Sequence, residues 1–207
     1  MPTLAFFFVG SVLLLNGLVI LGRVDARSAA PLNVLIGAIV TGIAIRSAIL
    51  AGDPSQPEAF DGLIRSAGSL LFGLTYLYVG IGGFANLSGR GLGWYCGWAT
   101  GASVFIGLVH YLRLDDPRSG MLWVLWAILF SAFFVTAGLG RRRYESATGW
   151  ITVLAACLTI TVPGALMLLG TWDQLPAAAV TAAGLALIAV FVPLVLRSTP
   201  VDAPVEA

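Results

Sequence analysis

Seven uninterrupted apolar runs take up most of this chain: Leu4–Leu21, Pro31–Ala51, Ala67–Ala85, Trp94–Leu112, Met121–Leu139, Trp150–Gly170 and Ala177–Leu196. Each is long enough to cross the ~30 Å hydrocarbon core of a bilayer as a helix. In hydrocarbon, every backbone amide must find its partner within the spanning structure, which leaves helices or a closed barrel. Barrel strands alternate lipid-facing and lumen-facing residues and would not give runs this continuous. The chain therefore reads as an all-α integral membrane protein. Only 10% of its residues are charged, against about 25% in a soluble domain, so no separate soluble domain is expected. The net charge of +1 offers no basic surface to a nucleic acid, and none is expected as partner.

The connections between the runs alternate in charge. Arg23 and Arg27, Arg90, Arg141 to Arg143, and Arg197 fall on one side. Arg65, Arg113 and Arg118 fall on the other, among the acids Asp53, Glu58, Asp61, Asp115, Asp116 and Asp173. The positive-inside rule makes the arginine-rich side cytoplasmic, with the N-terminus outside and the C-terminus inside. Residues 198–207, short and proline-containing, are expected to be a disordered cytoplasmic tail. Gly93, Gly97 and Gly101 form a double GxxxG, and Gly80, Gly82 and Gly83 end the third run. Such glycines let helix backbones approach closely in lipid.

The absences narrow the chemistry. Within the seven runs there is no Asp or Glu, and Arg46, near the outer end of the second, is the sole charge. An ion-coupled transporter ordinarily carries an intramembrane carboxylate. Arg46 is close enough to the interface to snorkel. The lone histidine, His110, reads as an interfacial residue and by itself makes no metal site. Ser103 near it has no acidic orienter in the run, so a hydrolase triad is unsupported. Cys96 and Cys157 both lie in apolar runs and read as small buried side chains. No catalytic residue, metal or cofactor is expected.

Neutral polar and aromatic groups remain. Phe6, Val9, Leu13 and Asn16 share one face of the first run, Phe72 and Tyr76 one face of the third, and Trp123, Trp126 and Phe130 one face of the fifth. Tyr78 is turned away from the Phe72–Tyr76 face. All three runs cross in the same direction, so these residues sit at comparable depths and can close around a narrow slot. Asn16 and the Tyr76 hydroxyl would supply its hydrogen bonds; Asn16 reads equally well as a tie between helices. An ion entering such a slot would lose its hydration uncompensated, whereas a neutral planar amide loses far less. Ordinary core packing explains the same spacing.

The motifs FVGSVLLLNG (Phe8–Gly17), GRVDARSAAPLN (Gly22–Asn33), LLFGLTYLY (Leu70–Tyr78), RGLGWY (Arg90–Tyr95), the Trp123–Phe130 stripe, and Trp150 with Leu158, Thr159 and Pro163 follow one another in order along the first six runs. Together they resemble the AmiS/UreI family of urea and short-chain amide channels. The resemblance implies a twisted six-helix bundle of three hairpins around a pore over residues 1–172, assembled as a homo-hexamer in the bacterial cytoplasmic membrane. It places pore constrictions at Phe6, Val9 and Leu13, at Phe72 and Tyr76, and at Trp123, Trp126, Leu129 and Phe130. It also implies urea and small amides as permeants and a cytosolic amidase or urease as partner. Residues 173–197 add a seventh span beyond that pattern, packed outside the bundle or at a subunit contact. Acid-gated members carry a long histidine-bearing outer loop between the second and third spans. Here Gly52–Ser66 has no histidine, and a carboxylate of their sixth span corresponds to Ala155, so strong acid gating is not expected. A coupled amide transporter and a non-transporting membrane scaffold are the alternative readings.

Overall fold

The computed structural model describes residues 3–53 and 55–198, and those residues form helices joined by short turns, with no strand among them. The helices are α1 (Thr3–Ile20), α2 (Ala26–Ala51), α3 (Pro57–Ala85), α4 (Arg90–Leu112), α5 (Pro117–Phe133), α6 (Glu145–Ala155), α7 (Val162–Leu168) and α8 (Ala177–Leu196). A π-helical segment, Phe134–Gly138, prolongs α5, and another, Ala156–Thr161, joins α6 to α7 into one continuous sixth span. Seven spans are long and apolar enough to cross a membrane, which makes the chain a multi-pass membrane protein. The tail beyond Ser198 lies outside the described residues.

Each of the six connections turns on a single residue with positive φ: Gly22, Gly52, Asn86, Asp115, Gly140 and Gly170. Glycine adopts that conformation without a Cβ clash, and Asn and Asp tolerate it better than other side chains. Asp25 caps α2 by accepting the Ser28 N–H at 2.8 Å, and Asp116 caps α5 by accepting the Ser119 N–H at 3.1 Å. Both acids satisfy amides that a helix start leaves without partners.

Helix ends depart from the hydropathy limits most at α3. It begins at Pro57, not Ala67, and its 29 residues span about 43 Å, longer than the apolar core of a bilayer. The connection from α2 is therefore only residues 52–56, and Asp61 and Arg65, read as loop residues, sit on helix as a half-exposed i,i+4 ion pair at 2.8 Å.

The helices form a six-span bundle in which the most extensive contacts are α2 with α3, α4 with α5, and α1 with the sixth span. Glycines weld these pairs. A Cβ at Gly37, Gly80 or Gly83 would strike the facing backbone of α2 or α3, and one at Gly93 would strike Gly138. Gly10, Gly17 and Gly164 bring α1 as close to the sixth span, and a Cβ at Gly149 would strike the side chains of Leu21 and Ile20. Gly82 and Gly101, grouped with the packing glycines by sequence, face open space. α8 lies outside the six, against α5 and α6, with Gly184 over Met121. Arg118 at the start of α5 holds the linker before α8, donating to Leu175 O at 2.7 Å and Asp173 O at 3.0 Å.

Candidate functional site

The helices α1, α3 and α5 turn their aromatic and aliphatic stripes toward one another. Phe6, Val9, Leu13, Asn16, Phe72, Tyr76, Trp123, Trp126, Leu129 and Phe130 are all buried, none more than 8% exposed. Phe72 is the hub. Its ring centroid lies 5.0 Å from Trp126 in a T-shaped contact, 5.6 Å from Phe130, 6.0 Å from Trp123 and 6.3 Å from Tyr76. Trp123 and Trp126 meet edge to face at 4.8 Å, and Phe6 closes on Trp126 at 6.0 Å. Edge-to-face contacts set the electropositive ring edge against the π face of the neighbour.

Beside this cluster lies a cavity of about 680 Å³. Leu13, Asn16, Phe72, Tyr76, Leu129 and Phe130 form its deep wall, and Asp25, Arg27, Asn86 and Ser88 stand at the arginine-rich end. Phe6, Val9, Trp123 and Trp126 lie beyond that wall, packed on one another. The single slot read from the sequence is thus divided into an open chamber and a closed ring cluster. Tyr78, read as turned away, lies against Gly91 and contributes to the chamber.

Two hydrogen-bonded ties between helices fix the site, one through Thr159 and one through Asn33, and neither residue was picked out by spacing. Trp126 Nε1 donates to Thr159 Oγ1 at 3.0 Å, and that hydroxyl donates to Ala155 O at 2.6 Å. Thr159 sits in the π-helical segment just before Pro163. Proline lacks an amide hydrogen and crowds the preceding turn, and the widened π turn accommodates it. Asn16 and Asn33 pair reciprocally, at 2.9 Å and 2.7 Å, joining α1 to α2. The Tyr76 hydroxyl is buried without a partner among the described residues.

His110 is buried near the end of α4, and its Nδ1 lies 3.4 Å from Asp116 Oδ2, too poorly aligned to count as a hydrogen bond. Burial alone would raise the Asp116 carboxyl, but the His110 contact and Ser119 outweigh it and hold it well below its ordinary range. An acid does therefore face this histidine. Ser103, however, is seven residues from His110 on α4, about 10 Å along the axis, so no nucleophile and base meet. Trp172, in the connection before α8, is folded back into the core beside Leu122 and Leu187. Arg46 is exposed near the end of α2. Among the described residues no cluster of His, Cys, Asp or Glu could hold a metal ion.

Residues 1–171 match the family model described as AmiS/UreI family transporter. The chain belongs to the AmiS/UreI family. A Rhodococcus erythropolis protein named as the transporter AmiS2 is 36% identical over 91% of this chain and 89% of its own length. An acid-activated urea channel of Helicobacter pylori is 26% identical over 82% of this chain and 98% of its own. The cryo-EM structure of the Helicobacter pylori urea channel in a closed state superposes with a TM-score of 0.73, at 24% identity, over 83% of this chain and all of that one. The AmiS/UreI match ends before α8, which is additional to it.

Proposed function

We propose that this AmiS/UreI protein is a passive channel for urea and short-chain aliphatic amides across the bacterial cytoplasmic membrane. The observation that carries the reading is the uncharged, aromatic-walled centre of the bundle, opening into a largely apolar chamber. The names of relatives, a urea channel and a transporter, point the same way. An ion brought to this cluster would lose its hydration with no counter-charge, while a planar amide loses little and stacks on the rings. Trp123, Trp126, Phe72 and Phe130 are assigned to stack the permeant, Phe6, Val9, Leu13 and Leu129 to narrow the path, and Tyr76 and Asn16 to hydrogen-bond it.

Residues 1–172 form the conducting unit in this reading, with 173–197 an accessory span. The arginine-rich end faces the cytoplasm, as the positive-inside rule requires. A homo-hexameric assembly and a cytosolic amidase or urease that consumes the permeant complete the proposal. Reconstituted proteoliposomes test it: stopped-flow light scattering should show acetamide entry well above empty vesicles with no ion gradient imposed. Entry that appears only with a proton or sodium gradient favours a coupled transporter. Entry at the lipid baseline removes transport altogether.

A further inference from the structure

The buried amide pair leaves something unspent. A side-chain carboxamide has two N–H donors and two acceptor lone pairs. Asn33 is wholly buried and uses both donors, one to Asn16 Oδ1 and one to Ala29 O at 3.0 Å. The Ala29 carbonyl accepts only an N–H, so it decides which end of the Asn33 amide is nitrogen. The reciprocal pairing then decides the orientation of Asn16. Asn16 spends one donor and one acceptor on this pair, and no other partner among the described residues takes the rest. It lines the chamber with one amide hydrogen and one lone pair free. Tyr76 lines the same chamber, and its buried hydroxyl has no partner.

We propose that Asn16, locked in orientation by Asn33, and the Tyr76 hydroxyl form a carboxamide-reading station on the arginine-rich side of the ring cluster. The proposal rests on the channel reading and deepens it. A primary amide or urea presents a carbonyl and an N–H on adjacent atoms. Its carbonyl can accept the one Asn16 N–H that the Asn33 pair leaves free, while its own N–H donates to the Tyr76 hydroxyl. The neighbouring walls, Leu13, Phe72, Leu129 and Phe130, offer no competing polar group. A neutral solute of similar size with a carbonyl but no N–H satisfies only half of the station. Asn33 touches no permeant; it is a positioning residue.

The test compares acetamide with N,N-dimethylformamide in proteoliposomes of the full chain, each corrected for empty vesicles. The acetamide-to-dimethylformamide permeability ratio should fall roughly two- to tenfold in Asn33→Leu and in Asn16→Leu, the worth of a lost hydrogen bond. Thermal unfolding in detergent registers any loss of the helix tie separately. Tyr76→Phe should lower the same ratio without lowering thermal stability, because the hydroxyl it removes bonds to nothing, so this variant keeps the test open if the asparagine variants fail to fold. An unchanged ratio in Tyr76→Phe and in whichever asparagine variants fold, with a conducting wild type, overturns the station and leaves the pair a structural tie. A wild type at the lipid baseline sinks the channel reading itself.

Discussion

Replacing Thr159 by valine keeps the side chain's shape and removes the one acceptor that holds the Trp126 indole. The bond it deletes, Trp126 Nε1 to Thr159 Oγ1 at 3.0 Å, is buried, and Trp126 is 4% exposed. A buried donor left without a partner costs about 1–3 kcal/mol, because no water reaches it. With tenfold per about 1.4 kcal/mol, the indole's present orientation loses roughly five- to a hundredfold in population relative to any that finds another acceptor. Since Trp126 packs on Phe6, Phe72 and Trp123, a turned indole reshapes the whole cluster. Stopped-flow amide flux in proteoliposomes should therefore change several-fold in Thr159→Val. Thr159→Ser should retain near wild-type flux. In a Trp126→Phe background, which has no indole N–H, adding Thr159→Val should do little further. Wild-type flux and stability in Thr159→Val would refute the idea that this bond sets the indole.

Trp126→Ala should alter amide flux directly, whereas Trp172→Ala, emptying a core position away from the chamber, should cost about 3–5 kcal/mol in stability with flux per folded protein unchanged. Gly93→Ala should destabilise by about 1–3 kcal/mol, because its Cβ would meet the Gly138 backbone, while Gly101→Ala meets nothing and should be neutral; thermal unfolding reads both. The carboxyl of Asp116 is held below its ordinary value, so its contribution to stability is present above about pH 4 and is lost as pH falls further; Asp116→Asn should flatten that acid limb of a melting-temperature profile.

The spans were legible because hydropathy in lipid leaves the chain few options, and the stripes were legible because helical spacing alone puts Phe72 with Tyr76 and Trp123 with Trp126. The start of α3 was not: Asp61 and Arg65 look like loop residues, yet a helix can carry charges wherever it emerges from the apolar core. The burial of His110 was not legible, because nothing before Asp116 hints that the connection after α4 returns to it, with the Asp116 N–H donating to His110 O at 3.0 Å. Thr159 and Asn33 escaped notice as partners for the same reason. A hydrogen bond between spans depends on rotation and depth of both helices, which neither stripe encodes. Nor does spacing say whether a ring cluster leaves a gap. Here Gly82, whose missing side chain leaves open space, widens the chamber at one end, and Trp123, Trp126 and Phe6 fill the space beyond it.

In the proposed channel the path selects for planarity and against charge. Urea and guanidinium are nearly the same size and both flat, and they differ by one positive charge. Their fluxes, measured side by side in proteoliposomes of this protein with the membrane potential clamped at zero, separate shape from charge. Urea flux should lie far above empty vesicles and guanidinium at their baseline, since desolvating an unpaired ion costs several kcal/mol. Guanidinium passing as readily as urea would contradict this selectivity.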